Sequence, residues 1–531
     1  MALRILHSGW FLREGFQALG CELAAFKPDA RRTLDEQVEA TGFCPDVVFL
    51  ELFGGQTRLP RAMHQSRHRL AAYCVDSPLN EFWLVPLMRL FDHVYVDQLA
   101  SAPRFQAQGV PAAWLPLCVN EAHFRQPPAD PKHFLTFVGR TSDFRTKRKN
   151  LLAHIATRHQ VRLVRDVSTE KMLDLFADSR AVLNENFFSG LNLRFLHALA
   201  SGALLLTERN GHGVDRLFTD GAHFLSFDHV DVLDVLDRVL AAPDGFRDVA
   251  RAGQDLCRAR HTSAARAAVV LEDLLAPAPD ARLSEAERGL AEAHAKYQHA
   301  LRFGGNCGES VRLLRRAAQD PDLPPSQALD LLGAMALRSG KTAEGQELLA
   351  QSATCATPAG LDAALKLLAA AETPEQARPW LARITAILHS LGLDHGRHAA
   401  RMARISAGAD LRFHARLLGC EILTGLGRVF DPGFVKPEPE RFPDYALEYA
   451  LLTFEERKTP ESLDAVIACA TAAGLAAEAL PYISAAILEG AALDRHVVLA
   501  ASLALEYYDF GYAETVMHSL QKKKKAGKAR G

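Results

Sequence analysis

No run of about 18 uninterrupted apolar residues occurs in the 531-residue sequence, so no segment reads as a membrane-spanning helix. Neither charge sign dominates. The chain has 61 Lys and Arg against 63 Asp and Glu, a net of −2, which excludes nucleic-acid binding through bulk charge. The nine cysteines are scattered and form no CxxC pair. That argues against a disulfide framework or a zinc ribbon, and for reduced thiols in the cytoplasm. The opening MALRILHSGW lacks the apolar core and cleavage site of a secretion signal, and reads as a strand followed by a turn. What is present is ordinary globular composition, 48% hydrophobic and 23% charged. The length suits about three or four domains.

Charge is uneven at one place. The last ten residues, KKKKAGKARG, hold six of the basic groups; the other 55 face all 63 acids, a net of −8 over residues 1–521. Residues 521–531 read as a basic, disordered tail. Such a tail suits peripheral contact with anionic phospholipid, a polyanion or an acidic partner.

The first 275 residues alternate short apolar runs with amphipathic stretches. Expected strands are Leu3–His7, Asp46–Leu50, Leu70–Val75, His93–Val96 and Ala113–Leu117, with a helix over Leu79–Leu90. A Pro-rich linker, Arg125–Pro131, follows. The alternation resumes with Phe134–Val138, Arg162–Leu163, Ala181–Asn184, Ala203–Thr207 and Phe224–Phe227. Strands alternating with helices imply parallel sheets, here two doubly wound Rossmann-like domains over 1–125 and 132–276. Open α/β sheets bind ligands beyond the carboxyl ends of their strands, so two of them enclose a cleft. After Pro277 and Pro279 the spacing turns helical throughout, which predicts helical regions over 282–424 and 444–520. Gly305, Glu309, Leu313, Leu314 and Ala318 recur 35 residues later as Gly340, Glu344, Leu348, Leu349 and Ala353. With Leu332-Gly333 between them, this reads as a weak tetratricopeptide-like (TPR-like) repeat. The fold class is therefore α/β plus all-α. Residues 425–443 carry four prolines and read as a loop.

The most informative segment is Ala181–Thr207. It predicts a strand, a polar loop over Asn184–Gly190, a short helix from about Asn192, a glycine stop at Gly202 and an apolar strand. Gly190 at a helix start permits close backbone approach, and the free N–H groups there attract anions such as phosphate.

Gly190-Leu191-Asn192-Leu193-Arg194-Phe195-Leu196-His197-Ala198-Leu199-Ala200-Ser201-Gly202 resembles the G-V-N-x-R-x-F-E-A-L-A-C-G pattern of CgeB-like (spore-maturation) GT-B glycosyltransferases. Tyr73–Pro78, Phe91–Asp97 and Trp114–Asn120 resemble that family's W-x-V-D-x-P, F-D-x-V-F and L-P-x-A-V-D segments, in order. The resemblance covers about residues 1–275. It implies transfer of a sugar from a nucleotide donor, held by the second domain, to an acceptor held by the first.

On that resemblance the donor contacts fall to Gly139, Arg140, Lys147, Arg148, Ser189, Gly190, Leu191, Asn192, Arg194 and His197. Two positions depart from the wider retaining pattern. The Glu expected to hold the ribose is His197, and the Glu expected eight residues earlier is Ser189, with Glu185 and Asn186 nearby. On the acceptor side, Asp76 is the candidate base or acceptor contact, with capping of the following helix as its plain alternative. His7, after the first strand, is the second candidate, and Glu51 ends another strand. Neither a metal nor any other cofactor is predicted, since the nucleotide sugar is itself a substrate. Retaining chemistry is favoured. The helical region implies recruitment of a protein or glycan acceptor. The competing expectation is a degenerate GT-B fold that binds nucleotide sugars or acts as a scaffold.

Overall fold

The computed structural model describes residues 2–141, 145–186, 190–209, 213–242, 244–276, 283–429 and 443–528. Ser189 and most of the proline-rich 425–443 segment lie outside the described residues. The chain divides into two compact units. The first comprises Met1–Arg282 together with the distal segment Leu505–Phe510, and the second comprises Leu283–Ala504 and Gly511–Gly531.

The first unit holds two parallel sheets. β1 (Arg4–Ser8), β2 (Glu22–Ala25), β3 (Val47–Phe53), β4 (Leu70–Val75), β5 (His93–Val96) and β6 (Ala112–Trp114) form one. Its order is β2-β1-β3-β4-β5-β6. β7 (His133–Val138), β8 (Arg162–Val164), β9 (Ser179–Asn184), β10 (Leu204–Glu208) and β11 (Leu225–Phe227) form the other, in the order β11-β10-β9-β7-β8. Helices cover both faces, which is why strands such as β4 are buried at every position and read as unbroken apolar runs. All ten expected strands are present. The missed strand, β2, is a short edge strand, half exposed, with no apolar pattern to announce it.

In each sheet the strand order reverses beside the first strand, between β1 and β3 and between β7 and β9. These are the places where an open α/β sheet leaves a crevice. The two α/β domains lock together without a continuous sheet. The helix Ser263–Leu275 returns to the first domain. There Gly15 lies so close to Ser263 that a Cβ would fall 2.2 Å from its carbonyl oxygen. Tyr95 donates to Asp273 at 2.9 Å.

The second unit is helical throughout its described residues, from Glu285–Phe303 to Phe510–Lys528. The last helix continues through residues 521–528, which the sequence reads as disordered; the unequal charge there does not stop the backbone ladder. Helices Ser326–Arg338 and Thr342–Ser352 cross at glycines: a Cβ on Gly333 would meet Leu349 at 2.8 Å, and one on Gly345 would meet Leu337 at 2.5 Å. The core also buries charge. Lys366, 1% exposed, sits 2.8 Å from Asp330 and 2.9 Å from Asp444. Arg338 also reaches Asp444, at 3.1 Å. No described helix is long and apolar enough to cross a membrane.

Candidate active site

Strand β9 delivers Asn184 and then Glu185 and Asn186 to the crevice of the second sheet. The chain returns through Gly190 and Leu191 to the helix Leu193–Ala200. Asn192 caps that helix, its Oδ1 accepting from Phe195 N at 3.0 Å. Its Nδ2 donates back to Asn186 Oδ1 at 2.8 Å, closing the loop. Gly202, in left-handed backbone at φ +77°, ends the segment against Pro127.

Two guanidinium groups converge here on the ring of Phe137, Arg194 at 4.6 Å and Arg148 at 5.4 Å. Arg148, at the start of the helix Thr146–Ala156, is buried. Both its Nε and its Nη2 reach Glu185 Oε2 at 2.7 Å, and its Nη1 donates to Arg140 O at 2.7 Å. Arg194 is held differently. Its Nε donates to Val138 O at 2.9 Å, and its Nη1 to Asn184 Oδ1 at 3.3 Å and Glu185 O at 3.4 Å. None of these acceptors is a carboxylate. Burial and the charge of Arg148 pull its pKa down to about 10, with Glu185 opposing. Its Nη2 lies over Gly139, where any Cβ would sit 2.6 Å away. A side chain at 139 would therefore push the Arg194 guanidinium from this position. A guanidinium whose hydrogen bonds go to neutral oxygens, beside two glycines and a helix start, keeps a positive charge that an anion could match.

Lys147, the next basic group, pairs with Glu208 at 2.8 Å. Glu208 ends β10 and also accepts from Asn186 N at 3.1 Å. Burial pushes its carboxyl upward, and Lys147 pulls it back. Arg140 is placed outward: its guanidinium is 86% exposed and its Nε donates to Asp166 at 3.2 Å. His197 is buried against the ring of His123, centroids 5.1 Å apart. Burial first, then His123 and Arg194, take its pKa down to about 3, so its imidazole is neutral at working pH. At the carboxyl ends of β9, β10 and β11 lies a cavity of about 270 Å³. Phe195, Phe218 and Phe224 give it an aromatic wall; Glu208, Asp215 and Asp220 give it acidic edges. Arg209 also lines it, and the aromatic wall with these polar edges suits a neutral ring bearing hydroxyl or amide groups.

The first domain contributes Asp76, at the carboxyl end of β4. Its backbone is left-handed, φ +53°, and its side chain makes no capping bond to the turn that follows, so the capping alternative has no geometric basis. The residue is set by Asp97, which is fully buried. Asp97 Oδ2 accepts from Asp76 N at 2.9 Å, and Oδ1 accepts from Ser77 N at 3.0 Å and Ser77 Oγ at 2.6 Å. Asp76 stays open to solvent within a crowded setting. The surrounding protein, then the charge of Asp97, raise its carboxyl to about 6, while Arg145 of the second domain pulls it down. Gln98 next to it ties the domains: its amide donates to Leu191 O at 2.9 Å and accepts from Leu191 N at 3.1 Å.

His7, the other acceptor-side candidate, is placed in the core instead. It is 1% exposed, stacked on Phe49 at 5.6 Å, with Nε2 3.1 Å from Glu51 Oε1. Glu51 in turn accepts from the N–H groups of Trp10 (2.6 Å), Phe11 (2.9 Å) and Leu12 (2.9 Å). The buried pair joins β1 and β3 to the backbone that leads into the first helix. Sequence reasoning missed Glu208, Gln98 and the positioning role of Asp97. Asp97 and Gln98 follow the Phe91–Val96 segment directly, and Glu208 directly follows an apolar strand. Those positions were the available signals. Among the described residues no group of three or more His, Cys, Asp or Glu side chains is arranged to hold a metal ion.

Several solved structures are similar to about half of the chain. Sucrose-phosphate synthase from Thermosynechococcus elongatus aligns at 12% identity and a TM-score of 0.39, over 51% of this chain and 98% of that one. Anabaena Alr3699/HepE, in complex with UDP and glucose, aligns at 11% and 0.39, over 52% and 100%. An alpha-glucosyltransferase in complex with UDP and a 13-mer DNA aligns at 10% and 0.38, over 52% and 99%. No curated protein matches the chain. The second α/β domain, with the Arg148–Arg194 pair and the cavity at its strand ends, matches over residues 132–272 the family described as glycosyl transferase-like.

Proposed function

We propose that the protein is a glycosyltransferase of the GT-B kind, in its CgeB-like branch, that moves a sugar from a nucleotide-sugar donor to an acceptor. The observation that carries this reading is Arg194, a partly buried cation without a carboxylate partner among the described residues, aimed over Gly139. The donor's diphosphate lies against Arg194, Gly139 and the Gly190–Asn192 turn, with Arg148, Lys147 and the exposed Arg140 adding positive field. The neighbouring aromatic and acidic cavity takes a ring of the donor.

As the bond between the sugar's anomeric carbon and the diphosphate breaks, fixed cations and backbone N–H groups balance the charge that develops. Transfer on this scheme needs no metal and no cofactor, and retention is the favoured outcome. Asp76 faces this site from the first domain as the acceptor contact or base. The helical unit, TPR-like at its glycine-crossed helix pair, recruits a protein or glycan acceptor. The protein works in the cytoplasm, with its basic end available to an anionic membrane surface.

A second reading has one observation behind it. His197, where a ribose-holding Glu is expected, is neutral and packed on His123, which fits a domain that binds donors without turnover. Release of nucleoside diphosphate from a panel of nucleotide sugars separates the two. The transferase reading expects slow hydrolysis of one donor. It also expects Asp76→Asn to bind that donor normally while cutting transfer by about a hundredfold or more. Tight binding with no release at all would establish the second reading.

A further inference from the structure

The first unit contains a segment from far along the chain, Leu505–Phe510. Asn150 Nδ2 donates to Tyr507 O at 2.9 Å, and Phe510 lies 4.5 Å from the ring of His154. Tyr508 between them has left-handed backbone, φ +57°, a conformation that a bulky side chain adopts only where its surroundings enforce it. The ring is 5% exposed and belongs to the core formed by β7, β9, β10 and β11. Its hydroxyl emerges from that core at one atom, donating to Glu208 Oε1 at 3.2 Å. This is the same oxygen that Lys147 holds at 2.8 Å.

A hydrophobic anchor alone needs no hydroxyl, and phenylalanine would fill the same space. The hydroxyl matters because Glu208 is buried and has one mobile partner. Lys147 is partly exposed at the end of a flexible stem, whereas Asn186 N and the phenol are fixed. If an anionic group draws Lys147 away, Oε1 would be left bare without the phenol, at the cost of an unmet buried acceptor. We propose that Tyr508 is a positioning residue of the donor site: by satisfying Glu208 Oε1 it allows Lys147 to pass from the carboxylate to a phosphate group. This rests on the donor reading above. Burial and the charge of Glu208 keep the phenol protonated, so it remains a donor. The charged groups that face the pair are Lys147 and Glu185 at Glu208, and Asp228 and Glu185 at Tyr508; the ring of His154 lies 6.3 Å from that of Tyr508.

The test is calorimetric titration of the full-length protein with UDP, GDP, ADP and dTDP, on wild type and Tyr508→Phe, between pH 5.5 and 8. The expected result is a three- to tenfold weaker affinity in Tyr508→Phe at pH 8 for whichever diphosphate binds. The gap should narrow toward pH 5.5, because a protonated Glu208 releases Lys147 by itself. In a Glu208→Gln background Tyr508→Phe should change nothing. Equal affinities at every pH would overturn the role of Tyr508 and leave the donor reading standing. A constant deficit at every pH that persists in Glu208→Gln would reduce Tyr508 to a structural anchor, which also overturns it. Wild type that binds none of the four overturns the donor reading, and this inference with it. Should Tyr508→Phe fail to fold, Lys147→Ala decides: affinity at pH 8 at least threefold weaker than wild type is expected, and unchanged affinity would show that Lys147 never leaves Glu208, which overturns the proposal.

Discussion

Arg194 shows how a single residue's neighbours state its purpose. A buried guanidinium is normally matched by a carboxylate, because an unmatched charge in a low-dielectric setting is costly. Arg148 has that match in Glu185 at 2.7 Å, while Arg194 makes do with carbonyl oxygens. Arg194→Ala should therefore weaken nucleoside diphosphate binding by about tenfold to a hundredfold, the value of one charged hydrogen bond, with little loss of fold. Arg148→Ala, by contrast, strands Glu185 and should lower stability as well. Asp76 gives a pH signature. Its carboxyl is raised to about 6, so it is ionised above that value and neutral below it. If it contacts or deprotonates the acceptor, transfer should fall as pH drops through about 6, and Asp76→Asn should abolish that limb. A flat profile between pH 5 and 7 would remove Asp76 from the chemistry. Glu51 is different in kind: Glu51→Ala leaves three backbone N–H groups and His7 without their acceptor. It should cost about 3 kcal/mol or more, read as a fall in the chemical denaturation midpoint.

At the scale of elements, legibility followed burial. β4 and β5 were readable because every residue of β4, and all but the first of β5, face packed helices. The helix Leu193–Ala200 was readable because its cap, Asn192, and its stop, Gly202, carry the local chemistry of helix ends. β2 was not, since four half-exposed residues at a sheet edge bear no period. Arg194 is readable as a motif position, but its missing acid partner is not, because that depends on Val138, Asn184 and Glu185 meeting in three dimensions. The burial of His7 was not legible for a similar reason: its partner Glu51 lies 44 residues away. In the helical unit the periodicity gave the helices but could not reveal Lys366 between Asp330 and Asp444, drawn from two helices and the bend before a third. Replacing Lys366 by Met leaves the buried Asp330 carboxylate without its partner, while Asp444 keeps Arg338. It should destabilise the second unit by about 3–5 kcal/mol, visible as a lower melting transition in calorimetry.

For the whole molecule, the order of the chain and the order of the units differ. The first unit is completed by Leu505–Phe510, so the distal sequence is part of the same body as the cation site. Tyr508→Ala, which empties a place in the core of the second α/β domain, should cost about 3 kcal/mol and lower the transition of the first unit. The Gln98–Leu191 contact links the two α/β domains close to the Asp76 turn; on the proposed reading a donor in the second domain faces an acceptor in the first. Everything in this account depends on that donor. The most direct measurement is calorimetric titration of the full-length protein with UDP-, GDP-, ADP-, dTDP- and CMP-linked sugars, repeated on Arg194→Ala and Arg140→Ala. Saturable binding of one donor, at least tenfold weaker in Arg194→Ala and less affected in the exposed Arg140→Ala, is the predicted result. Binding of none by a folded protein, or binding that ignores Arg194, would contradict the account.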